Sequence, residues 1–580
     1  MPKADLILIH SPSVYGFRSK SILYGPTSDL VPSTPVFEMY PIGFVSLAEY
    51  LERHGYNVRI LNLAVRMLNG NGFNPKKVLK SLKPRAFGID LHWLPHAHGS
   101  LETARILKEY HRDIPIIFGG FSSTYFHEEL IQYPYVDYVV RGDSTEEPLR
   151  KLMECIKKDE EPTEVPNITW KDKGGNIHIN PLSHVPENID DIKLDYHSVV
   201  KSVIKYRDLK NFLPYKNWLS YPITAVFTCR GCNKNCITCG GSAFTFRNFF
   251  NRDRTLFRSP RLIVEDLKSI QRLTKATIIL IGDIRMNGEG YADEILERAK
   301  RAGIRNRVII EFFWPVSKEF LKKVSKAFPR FTVEMSLETH DEDLRARFGK
   351  RYSNRDFENT LRYACELGCE RFDVFFMTGL SGQSYDSVMD TISYCQDLLT
   401  ALNGERRVYP FISPLAPFLD PGSLAFEFPE NYGYRLFYRT LEEHRKALLS
   451  PSWKHIMNYE TKWMTREEIV FSTYEAGLRL NRLKCEKGLI DKGTADATEK
   501  RILRAMDIIR EIEKILLVDD SSIRERRLKE LKPIVDQSNI STVCEKKELN
   551  LPVGLLRFNI PKIVKSFIKN NVGNLGLNLK

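Results

Sequence analysis

The sequence has no long apolar run, no low-complexity tract and few cysteines for its length. No apolar segment approaches the roughly 18–20 residues that span a bilayer, and the opening run Ala4–Ile9 reads as a strand rather than as a signal peptide. Ten cysteines among 580 residues are too few for a disulfide scaffold. These absences exclude the membrane-spanning and disulfide-rich secreted classes, and they predict a cytoplasmic protein with reduced thiols.

Charge of both signs is present, with a basic excess. Lys and Arg number 86 against 73 Asp and Glu, a net charge of +13, which permits anionic partners without selecting one. Hydrophobic residues make up 42% and charged residues 27%, the balance of a folded globular chain. A chain of 580 residues is too long for one hydrophobic core, so we expect roughly three to four domains.

The first 158 residues alternate strand and helix patterns. Apolar and β-branched runs are separated by segments with helical spacing, which predicts a Rossmann-like α/β domain with a parallel sheet over residues 1–158. Ligands of such sheets bind beyond the carboxyl ends of the strands. The segments expected there are Ser11–Ser13, Asp90–His98, Gly119–Ser123 and Arg141–Glu146.

The rest of the chain divides into three further regions. Residues 159–215 read as a linker that contains a β-hairpin around Gly174–Gly175. Six βα units over 216–430 predict a partial (β/α)6 TIM-like barrel, whose active site would lie at the carboxyl ends of its strands. Residues 431–580 read as a helical domain with a basic tail. One helical packing stripe is predicted there from Leu503, Met506, Ile509, Ile512 and Leu516.

Four cysteines lie close together just after the first predicted barrel strand, and two metal-binding registers compete. The pairs Cys229/Cys232 and Cys236/Cys239 resemble a zinc ribbon, but only three residues separate them, and zinc ribbons need a longer loop. The other register is Cys232-x3-Cys236-x2-Cys239. Three thiolates hold three irons of a [4Fe–4S] cluster and leave the fourth iron open to a small molecule. We favour this register, in which Cys229 is not a ligand; metal binding by Cys229 stays an alternative.

Residues Thr228–Gly241, which read TCRGCNKNCITCGG, resemble the signature of the radical S-adenosylmethionine (SAM) superfamily, especially its cobalamin-binding members. The resemblance implies a [4Fe–4S] cluster on Cys232, Cys236 and Cys239, with SAM on the open iron. Cys229 stands where Ser is typical, and Thr238 where an aromatic residue is usual. The resemblance implies that SAM binds at Gly240, Gly241, Gly282, Asp283, Ser336 and Glu338. Two further segments resemble motifs of the family, namely Arg345/Gly349/Lys350 and Met377–Gln383.

The first domain is similar to the cobalamin (B12)-binding Rossmann domains that precede such barrels. The usual Asp-x-His-x-x-Gly motif, which gives cobalt a lower-face histidine, is absent after the first strand. We therefore expect base-off cobalamin without a dedicated ligand, although ligation by His92, His96 or His98 stays open. The resemblance implies a cobalamin site at Gly119, Gly120, Ser123, Arg141, Gly142 and Asp143, where glycine lets a large cofactor approach the backbone.

The resemblance implies an enzyme, and we favour a methyltransferase acting on an unactivated carbon. Reduced cobalamin would take a methyl group from one SAM, and a second SAM would give the 5′-deoxyadenosyl radical that activates the substrate. Alternatives are the same cofactors used for ring formation, contraction or oxidation, and, in another class, a zinc-ribbon protein that binds nucleic acid. A tRNA methylthiotransferase is disfavoured because Cys155 is the only cysteine before Cys229.

The partners expected for this enzyme are a small-molecule, lipid or peptide substrate and a low-potential electron donor such as ferredoxin or flavodoxin. We expect an anaerobic context and no nucleic acid. The segment Phe558–Lys569 mixes Lys with Phe, Ile and Val, a pattern typical of peripheral membrane contact. The same pattern favours an isoprenoid-like or hopanoid-like lipid substrate, and packing of the tail on the body of the protein is the alternative.

Two further groups of residues have structural and functional interpretations. Cys365 and Cys369 are four residues apart in a helical pattern, so they could bind a metal, but we expect buried structural thiols. Trp453, Tyr459 and Trp463 lie in the helical C-terminal region. We expect core packing for these aromatic residues, with a cap over the barrel mouth as the alternative.

Overall fold

A computed structural model describes residues 3–26, 39–70, 72–415, 418–539, 548, 558–559 and 561. These residues form two α/β units, each built on a mainly parallel sheet, followed by a helical region. One hydrophobic core fills the first unit, and a second core is shared by the barrel and the helical region. The predicted fold class is confirmed.

The first sheet has seven strands in the order β2-β1-β3-β4-β5-β6-β7. Strands β1 to β5 pair in parallel, whereas β6 and β7 pair antiparallel. The strands are β1 Leu6–His10, β2 Val58–Asn62, β3 Ala86–Asp90, β4 Ile116–Gly119, β5 Tyr138–Val140, β6 Ile168–Lys171 and β7 Ile177–Ile179. The helices are α1 Gly43–Arg53, α2 Leu63–Asn69, α3 Pro75–Ser81, α4 Ala97–Tyr110, α5 Phe121–Tyr125, α6 His127–Leu130, α7 Glu146–Lys158, α8 Tyr196–Tyr206 and α9 Leu209–Phe212.

The centre of this sheet is the crevice between β1 and β3. Both strands are buried along their whole length, as apolar strands covered by helices on both faces should be. The chain runs outward to β2 on one side and to β4 on the other, so the strand order reverses between β1 and β3. Such a reversal opens a ligand crevice at the carboxyl ends of the strands. Here those ends carry His10 and Asp90.

The hairpin that we assigned to a linker belongs to the first sheet. Its first strand, β6, pairs antiparallel with β5, and Tyr138 stands opposite Trp170. Trp170 is buried, and its Nε1 donates a hydrogen bond to Asn180 at 3.1 Å. The turn residues predicted the hairpin, but its docking depends on this long-range packing. The first unit therefore extends past residue 158 to Ile179, and the other domain limits stay predictions.

The second sheet has six parallel strands in the order β8-β11-β12-β13-β14-β15. Each strand neighbours the next one along the chain, which is the topology of a partial barrel. The strands are β8 Ile223–Phe227, β11 Thr277–Ile281, β12 Val308–Glu311, β13 Phe331–Glu338, β14 Arg371–Thr378 and β15 Val408–Pro414, and the short pair β9 Cys229–Arg230 and β10 Leu256–Phe257 follows β8. The helices are α10 Ala243–Phe249, α11 Pro260–Leu273, α12 Glu289–Ala302, α13 Lys318–Ala327, α14 Glu342–Phe348, α15 Asn354–Glu366 and α16 Tyr385–Ala401.

The C-terminal region packs against the barrel. Its elements are α17 Leu424–Glu427, β16 Tyr434–Leu436, α18 Leu441–Ala447, α19 Trp453–Ile456, β17 Tyr459–Thr461, α20 Arg466–Glu486, α21 Lys492–Leu516 and α22 Ser521–Ser538. Trp453 and Tyr459 are buried in the core, whereas Trp463 is 43% exposed. Cys365 and Cys369 are buried free thiols, and Cys369 Sγ donates to the Arg371 carbonyl at 2.8 Å. No helix in the described ranges is long and apolar enough to span a membrane.

The packing stripe predicted on α21 is partly wrong. Ile509 and Ile512 are buried, but Leu503 is 43% exposed, and Ile502 and Ala505 are buried instead. Helix α21 lies between α20 and α22, so its buried surface is wider than a single stripe. At the start of the helix this surface is shifted by one residue from the predicted stripe. Nearly all of the tail Phe558–Lys569, for which we predicted membrane contact, lies outside the described residues.

Candidate active site

The three cysteines of the favoured register line one cavity at the carboxyl end of the barrel. This cavity has a volume of about 1030 Å³ and receives Cys232, Cys236 and Cys239, all free thiols. The backbone N–H of Lys234 donates to Cys232 Sγ at 3.4 Å, and that of Gly241 donates to Cys239 Sγ at 3.3 Å. Burial raises the pKa of Cys236 to about 11. Thiols that converge on one cavity and receive N–H groups there fit an iron–sulfur cluster, which binds them as thiolates.

Cys229 lies apart from the other three. It is absent from the cavity wall, and a Cβ atom added to Gly282 would lie 2.9 Å from its sulfur. Burial raises the pKa of the Cys229 thiol to about 12. In the described part of the chain, no three His, Cys, Asp or Glu side chains are spaced to hold a single metal ion. Cys229 therefore stands outside the group of three cysteines that lines the cavity.

The residues of the Arg345/Gly349/Lys350 motif lie behind the loop that carries the cysteines and support it. The buried Arg345 guanidinium donates to the carbonyls of Thr339 and Tyr352 at 2.9 and 2.7 Å. Gly349 has φ +117°, and a Cβ atom there would lie 2.9 Å from the Asn235 carbonyl oxygen. Only glycine combines that backbone conformation with so close an approach. This residue therefore positions the loop between Cys232 and Cys236.

Three carboxylates follow successive barrel strands, and each has different partners. Asp283 is held by Arg285, with Nη2 to Oδ2 at 2.7 Å, and also accepts the Phe313 N–H at 2.9 Å. Glu338 pairs with Lys350, yet its buried Oε2 has no hydrogen-bond partner in the described structure. Glu311 accepts the N–H of Gly282 and lines the cavity, and burial raises its pKa to about 7.

These contacts bear on the residues predicted to bind SAM, which stay predictions. Asp283 is fully buried and caps the short turn Ile284–Asn287, so its carboxylate is already satisfied and does not reach the cavity wall. Ser336 and Glu338 do line the cavity. Glu311, the last residue of β12, was missed; it lay inside the strand expected from the sequence, so a search for carboxylates at predicted strand ends would have passed over it.

The predicted pair Gly240 and Gly241 lies beside the cavity rather than in its wall. The Gly240 N–H donates to Asp420 Oδ2 at 2.9 Å, and a Cβ atom on Gly240 would lie 2.7 Å from the Cβ of Asp420. Asp420 lines the cavity, and burial raises its pKa to about 6. It follows the last strand after an irregular segment, so no sequence pattern indicated it.

The remaining wall of this cavity is mainly apolar and aromatic. Lys234 places its ammonium 4.1 Å from the centre of the Trp314 ring, one of the few charged contacts at the rim. Such a wall suits a ligand that has a flat aromatic base and an apolar portion. The apolar lining residues are Phe313, Trp314, Val316, Phe348, Tyr352, Tyr363, Met377, Leu415, Phe418 and Leu419.

A second cavity, of about 460 Å³, occupies the crevice of the first sheet. Glycines line it within β3 (Gly88), at the end of β4 (Gly119 and Gly120) and after β5 (Gly142). Large apolar side chains on its rim are exposed, with Trp93 at 50%. Exposed apolar groups around a glycine-lined cavity mark a site for a large, partly apolar ligand. The fit to a corrin and its nucleotide tail rests on these features.

Four of the six predicted cobalamin residues line this cavity: Gly119, Gly120, Gly142 and Asp143. The other two lie outside the lining of this cavity. Ser123 is buried below it and donates to the Gly119 carbonyl at 3.1 Å. The Arg141 guanidinium donates to the carbonyls of Ile168 and Asn180. It therefore holds the hairpin on the sheet, a role that depends on the unexpected position of β6.

Comparison with known families agrees with both cavities. Residues 30–150 match the B12 binding domain, and residues 226–395 match the radical SAM superfamily. This chain is a radical SAM protein with a B12-binding domain. The two domains confirm SAM and cobalamin as the predicted cofactors.

Curated relatives and solved structures extend this result. The chain is 26% identical over 342 residues to hopanoid C-3 methylase of Methylococcus capsulatus, a match that covers 58% of this chain and 60% of the relative. It is 21% identical over 422 residues to cytidylyl-2-hydroxyethylphosphonate methyltransferase of Streptomyces wedmorensis, covering 65% and 77%. The chain thus spans less than two thirds of the hopanoid methylase.

Two solved structures share the fold. The radical SAM methyltransferase TsrM from Kitasatospora setae, determined with cobalamin and a [4Fe–4S] cluster, is 14% identical with a TM-score of 0.56, covering 92% of this chain and 99% of TsrM. The cobalamin-dependent radical enzyme OxsB, with aqua-cobalamin and SAM, is also 14% identical with a TM-score of 0.51, covering 100% and 82%. At this identity the likeness shows the fold.

A buried ion pair joins the radical SAM domain to the B12-binding domain. Arg230, between β8 and the cysteines, donates through Nη1 to Glu146 Oε2 at 2.8 Å, and Ser46 also donates to Glu146 at 3.0 Å. Both Arg230 and Glu146 line the glycine-rich cavity. Burial opposes the charge of Glu146, but Arg230 outweighs it and lowers the pKa of that carboxyl. The cysteine loop is therefore tied directly to the wall of the cobalamin cavity.

Proposed function

We propose that this chain methylates an unactivated carbon atom by radical chemistry that uses cobalamin and SAM. The observation that carries the proposal is the link between the two cavities: the loop that bears the three cysteines also contributes Arg230 to the glycine-lined cavity. Two curated relatives with methylase names support the same activity. The enzyme thus brings two cofactor sites to one interface.

The protein's part is to hold and orient these groups away from water. Cys232, Cys236 and Cys239 would ligate the cluster, and the N–H groups on the sulfurs of Cys232 and Cys239 stabilise negative charge there. When bound, the cluster, SAM and cobalamin supply hydrogen abstraction and methyl transfer. The aromatic wall excludes water, which protects reactive species from side reactions.

For SAM, we propose that Glu311 rather than Asp283 receives the ammonium group. Arg285 satisfies Asp283, and Lys350 satisfies one oxygen of Glu338, so Glu311 is the carboxylate in this trio without a cationic side chain bonded to it in the described structure. The unpartnered Oε2 of Glu338 would accept a ribose hydroxyl. Lys350 Nζ donates to the Ser336 carbonyl at 2.7 Å and holds this edge of the cavity in place.

The substrate proposed here is a small molecule with an apolar portion at the reacting carbon. The apolar cavity wall supports this class, and one relative acts, by its name, on a hopanoid. A low-potential donor such as ferredoxin or flavodoxin would supply electrons. Peripheral membrane contact through the basic tail, a peptide substrate and a cytoplasmic, anaerobic setting stay predictions.

The experiment that tests this function is anaerobic purification and cluster reconstitution, followed by iron, sulfide and cobalt quantification. We expect about four irons and about one cobalamin per chain. The variant Cys232→Ala/Cys236→Ala/Cys239→Ala should lose iron and keep cobalamin, whereas Cys229→Ala should keep both. Zinc in place of iron, or iron without cobalamin, would contradict the proposal.

A product assay separates methylation from other radical chemistry. The enzyme would be incubated with a reductant, candidate apolar substrates and SAM carrying an isotopic label on its methyl group. Methylation predicts label in the product, together with 5′-deoxyadenosine and S-adenosylhomocysteine in equal amounts. An unlabelled, oxidised or ring-contracted product would instead favour the alternative that keeps the cofactors and abandons methyl transfer.

A further inference from the structure

Three histidines, His10, His92 and His96, line the crevice of the B12-binding domain, and His98 lies beside it; all but His92 are hydrogen-bonded. His10 Nδ1 lies 3.1 Å from both oxygens of Asp90. His96 Nδ1 bonds the Ser11 carbonyl at 3.1 Å, and His98 Nδ1 accepts the Tyr15 N–H at 3.2 Å. Through these contacts the three imidazole rings hold the loops after β1 and β3 together.

His92 is the exception. Its ring lines the cavity and lies against Phe121, with ring centroids 5.1 Å apart. Neither ring nitrogen has a hydrogen-bond partner within the described ranges. His92 is half-buried, and an imidazole on a cavity wall that bonds no protein group is available to a ligand of that cavity.

The backbone of His92 is held firmly while its ring faces the cavity. Its carbonyl accepts the N–H and Oγ of Ser122 at 3.3 and 3.2 Å. A Cβ atom on Gly120, which has φ +118°, would lie 2.6 Å from the Cα of His92. Because the two loops touch so closely, the imidazole projects from a fixed point. Pre-organisation of this kind is what a metal ligand needs.

The position and the protonation state of His92 both suit ligation. It follows β3 by two residues, at the point where the strand order reverses and where a ligand of this sheet would bind. Burial lowers the pKa of His92, although Asp90 opposes the shift. A neutral imidazole at pH 7 keeps a lone pair for a metal.

We propose that an imidazole nitrogen of His92 ligates the lower face of cobalt when cobalamin is bound. This inference rests on the cobalamin site of the proposed function and replaces the expectation of a cobalt without a protein ligand. The ligand comes from the loop after β3, not from the loop after β1, where the usual histidine motif is missing. The backbone of the β1 loop packs closely against helix α4, where a Cβ atom on Gly99 would lie 1.6 Å from the Pro12 carbonyl oxygen.

The test is electron paramagnetic resonance of the Co(II) form of the intact holoenzyme. Cobalamin uptake is first quantified, and the protein is then reduced by one electron without SAM. Ligation by one natural-abundance nitrogen predicts that each cobalt hyperfine line is a triplet. Protein grown with 15N-labelled histidine should show doublets instead, because the ligand nitrogen then has a different nuclear spin.

Two variants complete the test. His92→Ala should bind cobalamin but lose the nitrogen splitting, whereas His98→Ala, whose ring lies outside the cavity wall, should keep it. Bound cobalamin without nitrogen splitting, or triplets that persist after histidine labelling, would overturn the ligand assignment while leaving the proposed function intact. Absence of cobalamin uptake by wild-type protein would overturn both. The labelling experiment uses wild-type protein, so it decides the matter even if His92→Ala does not fold.

Discussion

The two cavities differ in how their functional residues are distributed along the sequence. In the radical SAM domain the three metal-binding cysteines occupy one short loop between Cys232 and Cys239. In the B12-binding domain the cavity wall is assembled from the ends of separate strands, from His10 to Gly142. A covalent cluster needs several ligands at one point, whereas a large organic cofactor needs an open, glycine-lined crevice. Local motifs therefore identify the first kind of site, and topology identifies the second.

The largest effect is expected where the two sites meet. Glu146→Ala would leave Arg230 buried without its carboxylate partner, and breaking a buried pair in this way costs about 3–5 kcal/mol. We expect a lower thermal midpoint and reduced retention of both cluster and cobalamin. The control is Glu146→Leu/Arg230→Met, which removes both charges and should recover part of the loss. Loss of one cofactor only would show that the sites are independent.

The same ion pair predicts acid sensitivity. Because the folded protein holds the pKa of Glu146 below its ordinary value of 4.5, the unfolded chain binds a proton more readily. The stability from this group is therefore fully present above pH 4.5 and is lost as the pH falls through the lowered value. Unfolding free energy measured against pH should fall less steeply in Glu146→Leu/Arg230→Met. Equal slopes would mean that other groups govern acid unfolding.

Measurements of SAM affinity can distinguish the roles of the three carboxylates Asp283, Glu311 and Glu338. Glu311→Gln should weaken SAM binding roughly 10- to 100-fold, because a hydrogen bond to a charged group contributes about 1.5–3 kcal/mol. A SAM analogue that lacks the amino group should bind wild type and variant alike. Asp283→Asn should mainly lower the thermal midpoint, since Asp283 bonds Arg285 rather than the ligand. Equilibrium dialysis of reconstituted protein measures these affinities, and a larger affinity loss in Asp283→Asn would refute the assignment.

The support of the cysteine loop predicts a smaller effect. Gly349→Ala should destabilise the protein by about 1 kcal/mol or more, because its φ is unfavourable for alanine and its Cβ would press on the Asn235 carbonyl. Iron content should fall with it. Gly368→Ala is the matched control, with φ +86° and no atom within 4 Å of an added Cβ. Similar iron loss in both variants would deny Gly349 a role in positioning the loop.

The smallest stability effect is expected at the rim of the cobalamin cavity. Trp93 is 50% exposed, so Trp93→Ser should change the unfolding free energy by less than about 0.5 kcal/mol. Cobalamin should nevertheless dissociate faster, because the apolar surface that it covers is reduced. Stopped-flow release and a thermal scan measure the two effects. Unchanged release would place the corrin away from this rim.

Prediction from sequence worked best where the pattern was local. The strands of both sheets, the cysteine loop and the order of the barrel motifs were identified because apolar runs and closely spaced cysteines constrain their own neighbourhood. The sequence did not indicate the protein partners of two predicted site residues. Asp283 met Arg285 and the Phe313 amide, and Arg141 met the carbonyls of a hairpin that was expected in a linker.

The sequence alone determined the classes of the two α/β units and singled out the three cysteines, because these depend on periodicity and on spacing within short segments. The two cofactor types came from the resemblance of those segments to a known family. Only the tertiary structure decided which polar groups remain available at the two cavities. Glu311 and His92 line the two cavities, while Asp283, Ser123 and Arg141 bond groups within the protein. The physical reason is that a buried polar group takes the nearest partner in space, and distance in space is not encoded by distance along the chain.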